Sequence, residues 1–388
     1  MKLCVVKAIF GKPFFYLHKT PKSFSLKKSQ NICFGKTQNI ITLSEKGVLF
    51  MSDIRKDPLT DTWVIIAPGR AARPHTKEKQ KEEEVKKCPF CEGEDVESQI
   101  MPYAICAAEF DEDGNWITRV VTNKYPALSP AAELKKEDLD DTFHIEAGVG
   151  GHEILVESPA HKYFSWADMP PKQIEAVLRT YKCRYEYWRK DPRIAYLAIF
   201  RNYGKVAGAS IRHPHSQMIA TPLVPPRIQN QMNEMKKYYQ KNDECLMCHL
   251  IDLERRKEVR LVAENKDFVA LSSFAPRFPY ETWIVPKKHN SSFDNITDKQ
   301  IENLAPFLSD LIKRFDKLLN DPPFNLILQV SPLKEKNLPF YHWHIEIIMR
   351  LSQPAGFEWG TGVYINSIAP EIAAQELKNE KLRDKNDK

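Results

Sequence analysis

The sequence predicts an α+β protein made of two tandem copies of one unit, each a mainly antiparallel sheet with one long helix. Three observations predict it. Two Cys-x-x-Cys pairs, Cys88/Cys91 in "CPFCEG" and Cys245/Cys248 in "CLMCHL", open the same succession of segments. Each succession passes a proline-rich stretch ending in a histidine, His161 or His289, and ends in an H-x-H, His213/His215 or His342/His344. From His161 to His213 is 52 residues and from His289 to His342 is 53, so the order and the spacing both repeat.

The elements follow in order. In the first unit "VVTNKYPAL" and "HEILVESPAH" read as short β-branched strands. Pro170 and Pro171 suit a first helical turn. Ile174, Val177, Leu178, Tyr181, Tyr185 and Trp188 then recur at helical spacing. "IAYLAIFRN" and "RHPHSQMIA" return to strand. In the second unit "LVAENKDFVAL" and "YETWIVPKKH" take the strand positions. Thr297 caps a helix whose apolar face is Ile301, Leu304, Leu308, Leu311, Ile312, Phe315 and Leu318. Pro306 should kink that helix or mark a late start. "FNLILQVSP" and "YHWHIEIIM" close the unit, and "KQIE" recurs at the start of both helices. Alternation along a strand would send His213 and His215 to one face, and likewise His342 and His344. The expected domains are 51–230 and 240–375, with a charged tail at 376–388.

Residues 1–50 stand apart. They hold nine lysines, no arginine and the single acid Glu45, a net +8 against +6 for the whole chain, so the rest nets −2. Two readings cover them: a targeting segment, or a start misassigned ahead of Met51. The second is preferred, because transit peptides favour arginine. The slightly acidic body disfavours a nucleic-acid-binding zinc protein, which needs a basic face and short ligand spacing. No apolar run reaches the ~18 residues of a membrane span. With no secretion signal, a cytoplasmic location is expected. The eight cysteines then read as metal ligands and packing residues, not disulfides. Cys4, Cys33, Cys106 and Cys183 are isolated.

Each unit offers two thiolates, a histidine after a strand, and the first histidine of H-x-H. That donor set suits tetrahedral zinc, two ions per chain. The expected ligands are Cys88, Cys91, His161 and His213 at one site, and Cys245, Cys248, His289 and His342 at the other. Spread over about a hundred residues or more at each site, they would staple distant parts of the fold. The bland alternative is reduced, buried thiols. His215 is then left over. A neutral imidazole attacks phosphorus well when its other nitrogen is fixed by a hydrogen bond. Gln217, two residues on and on the same face, can donate to a phosphoryl oxygen without adding charge. In the second unit Glu346 takes that place, and a carboxylate would repel a phosphate, so His344 should not be a nucleophile.

At these residues the chain resembles the galactose-1-phosphate uridylyltransferase family, a branch of the histidine triad superfamily. The resemblance runs over about 53–375 and rests on "RKDPLTDTWVIIAPGRAARP", "CPFC", "SPAH" and "HPHSQ". It implies histidine-triad-like units and a covalent nucleotidyl-histidine on His215, formed from a nucleoside diphosphate sugar. Sugar 1-phosphate leaves, and a second sugar 1-phosphate takes the nucleotide in a ping-pong cycle. Gln217 would steady the phosphoryl group; hydrolytic relatives carry histidine there, so hydrolysis is disfavoured. Arg70, Arg73, Asn123, Asn202 and Ser210 match family nucleotide contacts, each of which reads equally well as a surface or capping residue. The family is dimeric, so a homodimer is implied. The leading expectation is exchange of UMP between UDP-glucose and a hexose 1-phosphate such as galactose 1-phosphate. One segment departs. In "AGFEWGTGVYIN", Gly356, Thr361 and Gly362 stand where well-known members carry a lysine and a tyrosine–glutamate pair. That is similar to the branch containing plant ADP-glucose phosphorylase, which passes adenylate to phosphate, and this is the alternative.

Overall fold

The computed structural model describes residues 53–56, 63–66, 88–90 and 105–380, except 134, 140–141, 160, 162, 363, 365 and 367. Arg70, Arg73 and Cys91, residues 1–50 and most of the charged tail lie outside the described residues.

A small sheet joins β1 (Asp53–Lys56), β2 (Trp63–Ile66), β5 (Lys136–Leu139) and β6 (Phe143–Ala147) in the order β2-β1-β6-β5. The main sheet has ten strands: β3 (Ile105–Phe110), β4 (Trp116–Thr122), β7 (Gly151–Val156), β8 (Tyr196–Tyr203), β9 (His215–Thr221), β10 (Leu261–Glu264), β11 (Phe268–Ser272), β12 (Thr282–Pro286), β13 (Phe324–Gln329) and β14 (His344–Met349). Their order is β10-β11-β12-β14-β13-β8-β9-β7-β4-β3, antiparallel at each described pairing. β8 and β13 meet at the middle, with Asn202 opposite Asn325. The fold is mixed α and β with one large antiparallel sheet.

The two long helices are α1 (Pro171–Arg189) and α4 (Asp298–Leu319); between them run α2 (Pro226–Asn242) and α3 (Leu246–Lys257), and α5 (Gly356–Thr361) and α6 (Pro370–Asn379) follow β14. The apolar stripe of α1 is buried throughout, from Ile174 to Trp188. So is that of α4 from Ile301 to Phe315, while Leu318 is partly buried. All join one core with the strands. Each such side chain contributes about 1.5–3 kcal/mol on leaving water, which is why periodicity alone located both helices. Where Trp188 presses onto the start of β7, a Cβ on Gly151 would meet its ring at 2.2 Å, so only glycine fits.

Several expectations need correction. α4 runs unbroken through Pro306, with Thr297 and Gln300 forming a capping box, so there is no late start. Strong burial along α4 outweighs the single hydrogen bond that Pro306 cannot make. Helices α2 and α3 were not anticipated, and Cys248 sits in α3 with Cys245 at its N-cap. Each helix buries only a few side chains, Ile228, Met232 and Met235 on α2 and Met247, Ile251 and Glu254 on α3, so neither shows a long core-facing stripe. The H-x-H segments are strand only from the second histidine: His213 and His342 precede β9 and β14. His161 and His289 likewise lie beyond the ends of β7 and β12. Among the described residues no helix is long and apolar enough to cross a membrane.

Candidate active site and metal centres

The register of the central strands gathers the polar residues. Gln217 of β9 lies opposite Ile154 of β7 and Phe200 of β8. Directly paired residues share a face, as do residues two apart. His152, Asn202, His215 and Gln217 therefore project from one face. Glu346 and Ile327 are paired, as are Ile327 and Phe200, so the second H-x-H occupies the same face of the same sheet. The opposite face of β9 meets α1, where the Ser216 hydroxyl lies 2.5 Å from that of Tyr181.

His215 is 6% exposed. Its Nδ1 lies 2.8 Å from the carbonyl oxygen of His213, so Nδ1–H donates and a neutral ring carries its lone pair on Nε2. The carbonyl and the ring belong to one backbone segment, and that segment is held firmly. Glu157 N–H donates to Pro214 O at 3.0 Å, and the Glu157 carboxylate accepts from the Ser216 hydroxyl, from Trp166 Nε1 at 2.9 Å and from Arg201 Nε at 3.1 Å. Glu157 is 0% exposed and Arg201 1%. This buried anion was not anticipated; "VESP" gave no sign of it, because burial is a property of the packing.

Cys88, His161 and His213 bring their ligand atoms within 4.8 Å of one another, and so do Cys245, Cys248, His289 and His342. His213 Nε2–H donates to Ser158 O at 2.7 Å, leaving Nδ1 facing the Cys88 sulfur at 3.6 Å. His289 Nε2–H donates to Leu338 O at 3.0 Å, with its Nδ1 3.6 Å from the Cys248 sulfur. His342 Nδ1 is 3.5 Å from the same sulfur. In His213 and His289 the lone pair turns inward and the opposite nitrogen is held by a carbonyl, as a metal ligand requires, whereas His342 Nε2 has no hydrogen-bond partner among the described residues. Burial, opposed by the Ser158 bond, lowers His213 to about 4, so its ring is neutral at pH 7. Burial also lowers His342, and burial with the nearby Arg212 charge lowers His161. The Cys248 hydrogen bond, aided by His289 and His342, holds the Cys245 thiol far below the ordinary thiol range. The mixed thiolate and imidazole donors fit a tetrahedral, borderline-soft divalent ion.

In the second half His344 Nδ1 is 3.5 Å from His342 O, and its Nε2 faces Glu346 at 3.7 Å. Burial would raise the Glu346 carboxyl. The nearby His344 ring and the charges of Arg227 and Arg277 outweigh it and hold the group at about 2. A fully buried carboxylate thus fills the place of Gln217. Of the remaining candidates, Asn202 Oδ1 accepts from Asn325 across the central seam at 2.8 Å. Asn123 Oδ1 caps the Tyr125 N–H at 2.9 Å, and Ser210 is exposed before the histidines.

Residues 41–225 match the family Galactose-1-phosphate uridyl transferase, N-terminal domain, and residues 231–378 match Galactose-1-phosphate uridyl transferase, C-terminal domain. The chain is 37% identical over 341 residues to ADP-glucose phosphorylase of Arabidopsis thaliana, covering 85% of this chain and 93% of that protein. It is 31% identical over 339 residues to galactose-1-phosphate uridylyltransferase of Thermotoga maritima, covering 84% and 98%. A crystal structure of an ADP-glucose phosphorylase from Arabidopsis thaliana with bound ADP-glucose aligns at TM-score 0.68 and 34% identity, covering 85% of this chain and 99% of that one.

Proposed function

The chain belongs to the galactose-1-phosphate uridylyltransferase family and is a transferase of nucleotidyltransferase type, and from that premise we propose that it moves a nucleoside monophosphate through a covalent intermediate on His215. The observation that carries this reading is the 2.8 Å bond from His215 Nδ1 to His213 O, which leaves the lone pair on Nε2.

In the first half-reaction Nε2 attacks the α-phosphorus of a nucleoside diphosphate sugar. The N–P bond forms, the bridging P–O bond breaks, and sugar 1-phosphate leaves with the electron pair. The leaving group is already a stable anion, so no general acid is needed, and the proton stays on Nδ1, donated to the His213 carbonyl. Gln217 donates to the phosphoryl oxygens as charge develops there. In the second half-reaction an acceptor oxygen attacks the same phosphorus and the N–P bond breaks. Asn123, Asn202 and Ser210 serve as nucleotide contacts in this reading, and Arg70 and Arg73 reach the diphosphate as planar forks.

We assign zinc to both donor clusters, with Cys91 joining Cys88, His161 and His213. Bound there, zinc supplies structural cross-links, holding the segment just ahead of the nucleophile. The proposal extends to 51–230 and 240–375 as tandem histidine-triad-like repeats, to a homodimer and to a cytoplasmic location.

Two substrate pairs share this chemistry. The family name favours UDP-glucose with a hexose 1-phosphate. The segment at 355–366 favours ADP-glucose with phosphate: Gly356, Thr361 and Gly362 stand where groups suited to a hexose phosphate are expected, and Trp359 beside them is exposed. Assay of both donors, each with phosphate and with galactose 1-phosphate, separates the two. Turnover of ADP-glucose with phosphate alone selects the phosphorylase; exchange on UDP-glucose with galactose 1-phosphate selects the uridylyltransferase.

A further inference from the structure

We infer that His152 is a positioning residue that turns the Gln217 amide so that its NH₂ group points to the reacting phosphoryl group. The inference rests on the nucleotidyl-histidine reading of His215.

His152 lies on β7, diagonally across from Gln217 on β9, since its direct partner is Ile219. Diagonal neighbours on one face are within reach of long side chains. The two side chains are 3% and 7% exposed, so neither relies on bulk water for orientation. His152 Nε2 lies 3.0 Å from Gln217 Oε1. The Ala127 backbone N–H points at Nδ1 over 3.2 Å.

That last contact decides the proton. A backbone N–H is a donor and nothing else, so Nδ1 must accept. A neutral ring then carries its one hydrogen on Nε2. Two amides sit beside Nε2. The Asn123 Oδ1 is engaged by the Tyr125 N–H, which turns the Asn123 nitrogen toward the ring at 3.1 Å. A nitrogen of that kind has no lone pair to offer. Of these two amides the Gln217 oxygen is the acceptor, so the Nε2–H bonds to it and the Gln217 nitrogen faces the other way.

The consequence is chemical. A glutamine whose oxygen faced the phosphoryl group would set a partial negative charge against the developing charge of the transition state. With its nitrogen there, it donates. Gln217 by itself has no preference between the two rotations, and the chain from Ala127 N–H through His152 supplies one. Residue order carries no sign of this, because His152 is far from the H-P-H segment and reads as an ordinary strand histidine.

The test uses two isosteric half-replacements. In His152→Asn the side-chain oxygen takes the place of Nδ1 and still accepts from Ala127, but the side chain is too short to reach Gln217. In His152→Gln the terminal NH₂ takes the place of Nε2 and still donates to Gln217. Single-turnover formation of the nucleotidyl-enzyme is followed by intact mass in full-length, metal-loaded protein, with ADP-glucose and UDP-glucose as donors. His152→Asn is expected to slow adduct formation on the order of 10- to 100-fold, with half-saturation by donor little changed. His152→Gln is expected to stay within a few-fold of the parent, and His152→Asn on top of Gln217→Ala to be no slower than Gln217→Ala alone. Melting temperature is recorded for each variant. If His152→Gln is the slow variant and His152→Asn the fast one, His152 merely holds the 123–128 loop and the inference is wrong. Equal rates for parent and His152→Asn overturn it as well. Failure of the underlying reading looks different: the parent itself then forms no adduct, or forms one that survives His215→Ala.

Discussion

His215 Nδ1 lies 2.8 Å from the carbonyl oxygen of His213, whereas His344 Nδ1 lies 3.5 Å from that of His342. The same H-x-H is thus tightly set in one half and loosely set in the other. The difference continues two residues on, where Gln217 is replaced by a Glu346 carboxylate that Arg227 and Arg277 hold charged. In the proposed reading one half receives a phosphoryl group, while the other is already filled by the buried Glu346 carboxylate.

This asymmetry predicts which histidine carries the nucleotide. His344→Ala should still form the adduct at a rate within about tenfold of the parent, since an effect transmitted only through packing is modest. His215→Ala should form none. Peptide mapping of trapped enzyme checks it, and label recovered on His344 would reverse the assignment.

Glu157 should matter to both stability and rate. Its buried carboxylate binds Arg201, Trp166 and Ser216, and its backbone N–H holds Pro214 between the two histidines. Glu157→Ala leaves Arg201 uncompensated in the core, which costs about 3–5 kcal/mol. Urea unfolding at neutral pH measures this. A loss under 1 kcal/mol would mean that water or another group takes over the carboxylate's role.

Asp316 gives a pH signature. Burial, with the charges of Asp321 and Asp168, pushes its carboxyl up to about 7. Its Oδ1 has no hydrogen-bond partner among the described residues. A native pKa above the unfolded value makes its contribution most favourable below about pH 4, and that contribution is lost as pH rises toward 7. Asp316→Asn, neutral at all pH, should raise the melting temperature at pH 8 and change it little at pH 4. An equal shift at both would show that ionisation of Asp316 is not involved.

Metal removal should unfold locally before it inactivates. We expect two zinc equivalents per chain by elemental analysis, and one in Cys248→Ser. That variant should melt several degrees lower, because a structural site contributes directly to folding. Unchanged metal content in Cys248→Ser would remove the second centre from the account.

Much of this was legible in the sequence for a physical reason: repetition and periodicity are properties of residue order. The helices at 171–189 and 298–319 follow from apolar spacing, and the candidate metal clusters from matched cysteines and histidines. What was not legible depends on packing. α2 and α3 bury only a few residues each, Ile228, Met232 and Met235 on the first and Met247, Ile251 and Glu254 on the second. His152 and Glu157 draw their roles from partners 65 and 44 residues away, Gln217 and Arg201. Strand alternation did place His215 and Gln217 on one face, but it assumed strand at His213, where the chain is still bending toward the Cys88 cluster.

The most direct test of the central claim is intact-protein mass spectrometry after mixing the enzyme with ADP-glucose and, separately, with UDP-glucose, without acceptor. The account predicts a mass gain of one nucleoside monophosphate from one donor, absent in His215→Ala and discharged on adding phosphate or a sugar 1-phosphate. Turnover of either donor with no such gain, or a gain that persists in His215→Ala, would contradict it.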